Sequence, residues 1–394
     1  MVEIKGKYSK ATIFADIVED EALKQVLELC NQTITQKAQI RIMPDVHAGK
    51  GCVIGFTSTE MAGVIPNLIG VDIGCGMYVV KLGKVDISFD KLDMIIRRHI
   101  PSGFEVNKTE RTLKSLTLSS LHCIYELKNV SRLDRSLGTL GGGNHFIEVA
   151  EDSRGNKYLI IHSGSRNLGK QVADYYQKMA EDIEQNHIKS TIQNLKMQNR
   201  GREIEGFVKS IKEVFKGTPK ELRYLVEDTA EKYIHDMEIC VIWARFNREI
   251  IANTIMEHMG LQGIGAFHTT HNYIEVSTRI TRKGAVRANA GEELLIPMNM
   301  RDGSLLCVGK GNPEWNYSAP HGAGRLMSRK KAKETFTLDE FTRTMKGIYS
   351  SSVRTSTIDE SPMVYKPMEE IVDKIGETVE IKEILRPLYN FKSS

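Results

Sequence analysis

At 394 residues with 41% hydrophobic content, the chain is long enough to bury a large core, and length alone allows two or three domains. Its 54 Lys and Arg against 50 acids leave a net charge of +4, which excludes a uniformly basic nucleic-acid coat and confines any RNA surface to a local patch. The six cysteines are scattered with no CxxC pair. The N-terminus lacks the apolar run of a signal peptide, and no stretch approaches the ~18 apolar residues of a membrane span. A cytoplasmic protein with reduced thiols and no membrane partner is expected.

In chain order, Leu23, Val26, Leu27 and Leu29 predict a helix over residues 19–29. Residues 39–43 alternate polar and apolar as a half-buried strand does. Glycine is dense from Asp45 to Gly76, with buried strand pieces at Val53-Ile54 and Val79-Val80. Residues 170–259 read as helical. Val172, Tyr175, Tyr176, Met179 and Ile183 mark one helix, and Phe207, Val208, Ile211, Val214 and Phe215 a second. A third runs from about Leu222 to Met259. Strands return around residues 273–277, 294–297 and 305–308. Glycine-rich motifs flank the helical middle on both sides, so the expectation is a single α/β (α+β) domain over 1–394 with helices inserted at about 170–259.

Five clusters carry the polar chemistry. In Asp72-Ile73-Gly74-Cys75-Gly76 an acid and a thiol, three apart between glycines, can turn toward one point and suit Zn2+, Mn2+ or Fe2+. A buried structural Cys is the plainer reading. Gly141-Gly142-Gly143 brings backbone close to a phosphate or metal, with His145 just beyond. His162 ends the apolar run Tyr158–Ile161 and opens a Ser/Gly/Arg loop with the chemistry of an anion site at a helix start. His268 and His271 lie three apart before β-branched and aromatic residues, where a strand or turn would let only one of them bind. His321 is followed by Gly322-Ala323-Gly324 and then by Arg325, Arg329, Lys330, Lys331 and Lys333; with Arg166 these are candidates to hold RNA phosphates. The chain has 11 histidines and no Walker A, GxGxxG, HExxH or GxSxG pattern. The residues alone point to a metal-dependent enzyme acting on phosphate.

The ordered set DVHAGKGCVIG (45–55), GVDIGCGM (70–77), GGGNHFIE (141–148), HSGSRNLG (162–169), HN (271–272) and HGAGRLMSR (321–329) resembles the RtcB family of RNA ligases over nearly the whole chain. YIHDMEICVIWARFNR (233–248) and DESPMVYK (359–366) also fit its pattern. The resemblance implies two Mn2+ ions on Asp72, Cys75, His145, His162 and His271, with the thiolate shared. It implies a GMP-accepting nucleophile at His321. For GTP it implies contacts from Asn144, His145, Phe146, Ile147, Glu148, His271, Asn272, His321, Gly322, Ala323, Gly324 and Lys392, and from Ser304 and the loop Pro297-Met298-Asn299-Met300.

The implied reaction joins an RNA 3′-phosphate, or a 2′,3′-cyclic phosphate after opening, to a 5′-hydroxyl end. The RNA is thus a partner, and an archease-like activator is a further candidate. At 297–301 this chain departs from the family's Pro-Gly-Ser-Met-Gly: Met298 and Arg301 replace glycines and make the loop bulkier and more basic. The competing functions are an end-healing phosphoesterase without ligation, which would not need His321, and an inactive RNA-binding homologue, which would not need the ligands.

Overall fold

A computed structural model describes residues 1–111, 113 and 116–393. Strands β1 (Val2–Lys5) and β2 (Lys10–Ile13) lead into helix α1 (Asp20–Cys30), followed by β3 (Ile40–His47), β4 (Ile54–Ser58) and β5 (Gly76–Gly83). Helices α2 (Phe89–His99) and α3 (Val130–Arg135) precede a hairpin of β6 (Phe146–Glu151) and β7 (Lys157–Ser163). The helical middle holds α4 (Arg166–Glu181), α5 (Ile183–Met197), α6 (Ile204–Val214) and the 33-residue α7 (Glu227–Met259). Then come β8 (Gly265–Thr270), β9 (Asn272–Ile274), β10 (Thr281–Lys283), β11 (Ala285–Arg287), β12 (Glu293–Asn299), β13 (Gly303–Gly309) and β14 (Ser318–Pro320). Helices α8 (Arg329–Thr335), α9 (Leu338–Thr344) and α10 (Met368–Ile375) precede β15 (Val379–Lys392).

These strands form a six-stranded sheet ordered β1-β2-β3-β4-β10-β9, a small β11-β14 pair, and a seven-stranded sheet ordered β12-β13-β15-β6-β7-β5-β8. In the larger sheet Gly76 lies opposite both Ser163 and Thr270, while Phe146 lies opposite both His162 and Lys392. Antiparallel pairing therefore brings the start of β5, the start of β6 and the ends of β7, β8 and β15 to one end of the sheet. That end is where the motif residues gather. One face of the sheet packs Ile147, Leu159 and Ile161 against Leu92 and Ile96 of α2 and Ile251 and Ile255 of α7. The other face packs Met77, Val79 and Ile160 against Leu295 and Leu385.

The helical middle divides in two. Helices α4 and α7 belong to the main core, where Val172, Tyr176, Tyr233 and Trp243 surround Ile73. In α5 the one buried residue is Leu195, so α5 and α6 form the more solvated pair. The side chain of Val214 lies outside the described residues. Several boundaries differ from expectation for local reasons. Leu222 sits in a separate 3-10 turn, and α7 starts at Glu227. The strand expected over 273–277 stops at Ile274, because the chain turns back there with Glu275 N donating to Ile280 O at 2.9 Å. In α1, Leu27 faces solvent, and Ala22, Val26, Leu29 and Cys30 form the buried stripe. All six cysteines are buried and unpaired. No helix among the described residues is long and apolar enough to cross a membrane.

Helix α7 does more than pack. Asn247 is fully buried, and its Oδ1 accepts from Gly138 N at 2.7 Å and Thr139 N at 3.1 Å. Its Nδ2 donates to Thr139 O at 3.1 Å and Ser163 Oγ at 3.0 Å. The neighbouring Arg248 Nη1 donates to Gly74 O and Ser163 O, each at 2.8 Å. One helix thus ties down the turns before β5 and β6 and the end of β7. A buried donor or acceptor left unsatisfied costs about 1–3 kcal/mol, so Asn247→Ala is expected to destabilise the fold by about 3–5 kcal/mol. Thermal unfolding of parent and variant checks this, and a parent-like midpoint would mean that packing alone holds these turns.

Candidate active site

Cys75 is the centre of the site. Its Sγ lies 3.4 Å from His145 Nε2 and 3.3 Å from His162 Nε2. Backbone carbonyls set both rings. His145 Nδ1 donates to Leu140 O at 3.0 Å, and His162 Nδ1 donates to Asn144 O at 3.1 Å. Each Nε2 is therefore aimed at the thiol. His145 Nε2 also lies 3.0 Å from Asp72 Oδ2, a contact between two acceptors unless a proton or a cation sits between them. His271 completes the set, and its Nδ1 is buried without a hydrogen-bond partner among the described residues. Candidate ligand atoms fall into two groups, Asp72–Cys75–His145 and Cys75–His162–His271, each with all atoms within 4.8 Å of one another. Cys75 is common to both.

The electrostatics fit a cation. Burial would raise the Asp72 carboxyl, but its interaction with His145 brings it down to about 2. Burial, together with Asp72, pushes the Cys75 thiol well above its ordinary value. Burial pushes His162 and His271 well below theirs, so both imidazoles stay neutral with lone pairs available. Carboxylate, thiol and neutral imidazoles form a donor set short of positive charge, which a soft-tolerant divalent ion supplies. Two glycines make the approach possible. A Cβ at Gly164 would lie 2.1 Å from Asp72 Oδ1, and one at Gly141 would lie 1.9 Å from the Arg166 guanidinium.

His321 approaches from the end of β14, in the β11-β14 pair. Its Nδ1 lies 2.6 Å from Asp45 Oδ2, and its backbone N donates to the same oxygen at 3.2 Å. Asp45, on β3, is fully buried. Lys366 Nζ, donating to Pro44 O at 3.0 Å and Val46 O at 3.3 Å, places a cation beside that carboxylate. The contact selects the tautomer: in the neutral ring Nδ1–H donates to Asp45 and the lone pair is on His321 Nε2. The His321 and His271 ring centroids are 4.7 Å apart, so the nucleophile candidate adjoins the metal donors.

A cavity of about 360 Å³ joins both parts. It is lined by Asp72, Cys75, His162, His271 and His321 and, among the expected nucleotide contacts, by Asn144, Phe146, Glu148, Asn272, Pro297, Met298, Asn299, Met300, Ser304, Gly322, Ala323, Gly324 and Lys392. His145 reaches the centre through its Nε2 contacts. Ile147 is the exception: alternation along β6 turns its side chain away from the cavity side into the core beside Leu140 and Ile161, so its side chain cannot touch a ligand there. His268 also points elsewhere, stacking on Tyr78 and bonding Glu249 through Nε2 at 2.9 Å. Of the two histidines only His271 reaches the site.

At the far end Glu148 is buried. Its Oε2 accepts from Asn390 at 2.8 Å, and its Oε1 has no partner among the described residues. Burial raises its carboxyl to about 7 against the opposing pull of Asn390 and Lys392. Lys392 Nζ donates to the buried Glu360 at 2.7 Å.

The charges read from the sequence as a basic run are largely paired. Arg329 binds Asp359 and Glu360, Arg325 lies 3.5 Å from Glu360, and Lys333 lies 3.3 Å from Asp359. Lys330 and Lys331 stay exposed. Arg166 is not a surface residue of this patch but lies under Gly141, donating to Thr139 Oγ1 at 3.2 Å. In the bulkier 297–301 segment Met298 and Met300 are buried, and Arg301 is paired with Asp302 at 2.6 Å, which cancels its added charge. The sequence reading gave no role to Asp45, Glu360, Lys366 or Asn390. The first three lie inside motifs already noted, and a buried acid two residues before His47 was the available signal.

A family model described as tRNA-splicing ligase RtcB matches residues 25–129 and 122–393. The chain is 29% identical over 411 residues to the RNA-splicing ligase RtcB of Escherichia coli K12, covering 94% of this chain and 93% of that relative. It is 27% identical over 457 residues to the tRNA-splicing ligase RtcB of Aeropyrum pernix, covering 92% of this chain and 90% of that relative.

Two outcomes follow from the geometry. Between the ordinary carboxyl value of 4.5 and about 7, the unfolded chain releases the Glu148 proton while the folded chain keeps it. Raising pH through that window therefore favours unfolding, by about 3 kcal/mol in all. Glu148→Gln removes this loss, so the variant's melting temperature should gain on the parent's from pH 4.5 to pH 8; parallel profiles would place Glu148 in a solvated setting. Cys75→Ala removes the atom common to both ligand groups. It is expected to lose tightly held divalent ion when metal content is counted by mass spectrometry, and full metal content would take Cys75 out of the site.

Proposed function

The chain belongs to the RtcB family, and from that premise we propose that it is a GTP- and Mn2+-dependent RNA ligase acting through GMP carried on His321. Its substrates are RNA 3′-phosphate or 2′,3′-cyclic phosphate ends and 5′-hydroxyl ends, and residues 1–394 act as one catalytic domain. The observation that carries this reading is the His321–Asp45 pair beside a shared-thiol donor set. A phosphoesterase that only opens cyclic phosphates would leave that pair without a use, and an inactive RNA binder would leave the donor set without one.

Asp72, Cys75, His145, His162 and His271 would hold two Mn2+ ions, Cys75 being common to both candidate ligand groups. Bound there, divalent ions neutralise the charge that builds on the phosphoryl oxygens. His321 Nε2 attacks the α-phosphorus of GTP; an N–P bond forms, the bond to the bridging oxygen breaks, and pyrophosphate leaves. Asp45 accepts from Nδ1–H and stabilises the positive charge that develops on the ring, the role of a carboxylate behind a histidine. An oxygen of the RNA 3′-phosphate then attacks the same phosphorus, the N–P bond breaks, and the lone pair returns to Nε2. Finally the 5′-hydroxyl attacks the activated RNA phosphorus, loses its proton and displaces GMP.

The nucleotide end of the cavity has matching chemistry. Guanine presents adjacent N–H donors, and Glu148 Oε1 is a buried oxygen with no hydrogen-bond partner among the described residues. Lys392, held by Glu360, brings a cation close to Phe146 and the cavity wall. Exposed Lys330 and Lys331 on α8 remain for RNA phosphates, since Arg325, Arg329 and Lys333 are engaged by Asp359 and Glu360.

His321→Ala tests the reading. It should leave fold and metal content intact, yet reduce covalent labelling by GTP and joining of 3′-phosphate RNA by orders of magnitude, about 10⁴ or more. The same variant should still join RNA carrying a preformed 3′-guanylylated end, because that step no longer needs the nucleophile. Acid-labile GMP labelling of His321→Ala, seen on a gel, would place the nucleophile elsewhere.

A further inference from the structure

A second cluster of ligand-type side chains lies away from the cavity. His122 follows a short 3-10 turn at residues 118–120, and His235 and Asp236 sit on α7. Asp236 is fully buried, and four donors hold it. Its Oδ1 accepts from the backbone N of His122 at 2.8 Å and lies 3.0 Å from His235 Nδ1. Its Oδ2 accepts from Cys123 N at 3.0 Å and Tyr176 OH at 2.8 Å. The carboxylate therefore fixes the backbone at residues 122–123 against α7 and holds the His235 ring with Nδ1–H turned inward. In the neutral ring this tautomer puts the lone pair on His235 Nε2, on an exposed side chain. The exposed His122 ring lies beside it, with centroids 4.7 Å apart and planes at 57°. Ligand atoms of His122, His235 and Asp236 all lie within 4.8 Å of one another.

From this geometry we infer that His122 and His235 form a surface site for a single transition-metal ion, with Asp236 as the carboxylate that orients His235. Two imidazole nitrogens select Zn2+, Ni2+ or Cu2+ over Mn2+ or Mg2+, and water fills the remaining positions. Ligand atoms about 2.1 Å from one ion are at most about 4.2 Å apart, and with ring centroids 4.7 Å apart, rotation of the two exposed rings brings one nitrogen of each to that separation. The carboxylate–imidazole contact is the brace that metal-binding histidines commonly carry, and it fixes the tautomer in advance. The site is separate from the cavity: His235 and Arg248 are 13 positions apart on α7, about 20 Å of helix. Its ion would clamp the loop at residues 121–123 to α7 and so stabilise the folded chain.

The test uses the full-length chain stripped with a chelator and then loaded with Ni2+ or Cu2+ alone. After desalting, the parent should retain one ion per chain more than His122→Ala or His235→Ala, and added Ni2+ should raise the parent's melting temperature more than that of either variant. Bound Cu2+ should show, in the parent, an electron paramagnetic resonance component with nitrogen splitting in addition to the signal of the central cavity, and either substitution should remove that extra component. Both side chains are exposed, so circular dichroism of the variants should match the parent. Equal ion counts and equal thermal shifts in all three chains would overturn the site. Because the readout is a difference between chains sharing the same central cavity, it stands whether or not the ligase reading does.

Discussion

The structure is organised around acceptors that crowd one buried thiol. Asp72, His145 and His162 all direct lone pairs toward Cys75, and His271 adds another imidazole with an unpartnered nitrogen. Such a cluster is costly to bury without positive charge. The protein supplies part of that charge in fixed form. Arg248 is fully buried beneath the turn with the Asp72 carboxylate nearby, and Arg166 lies under Gly141 near the same carboxylate. Burial lowers the Arg248 guanidinium to about 10 even so. Much of the local architecture follows from the need to bring these groups together: the glycines at 141 and 164, the long α7, and the alignment of five strand ends.

A second constraint links the two larger sheets. Asp45 comes from the six-stranded sheet, His321 from the end of the β11-β14 pair, and the metal donors from the seven-stranded sheet. None of these elements alone makes a reactive histidine. Lys366 balances Asp45, and Glu360 ties Lys392 and Arg329 into the same wall. Burial would raise Glu360, but Lys392 and Arg329 hold its carboxyl down at about 2, so this wall stays ionised throughout the physiological range.

The parts of the site carried by contiguous motifs were legible in the sequence. A thiol and an acid three apart between glycines can only turn on themselves, and a histidine at the end of an apolar run must emerge where a buried strand does. The ordered motifs then carried the family resemblance. What could not be read were pairings over long separations. Asp45 and His321 are 276 positions apart, and nothing local to either announces the other. The basic run after His321 gave no sign that Asp359 and Glu360, some 30 positions on, would neutralise much of it. The side chain of Ile147 packs into the core although its motif neighbours line the cavity, because a strand sends neighbours to opposite faces. The helical middle likewise read as one inserted unit because amphipathic periodicity shows that a helix has a buried face, and not what that face meets.

The position of β15 has a consequence for how the molecule comes into being. It lies between β13 and β6, so residues 379–392 supply the middle of the seven-stranded sheet to a partner more than 230 positions earlier. A ribosome therefore exposes β6 and β13 before their common neighbour exists, and until then two sheet edges stand open with unpaired amides and carbonyls. Open edges of this kind recruit other chains, and contacts of such sequence separation form slowly. Biogenesis should accordingly depend on chaperone shelter during synthesis, and nonsense or frameshift products ending before residue 379 should aggregate rather than persist as partly active fragments.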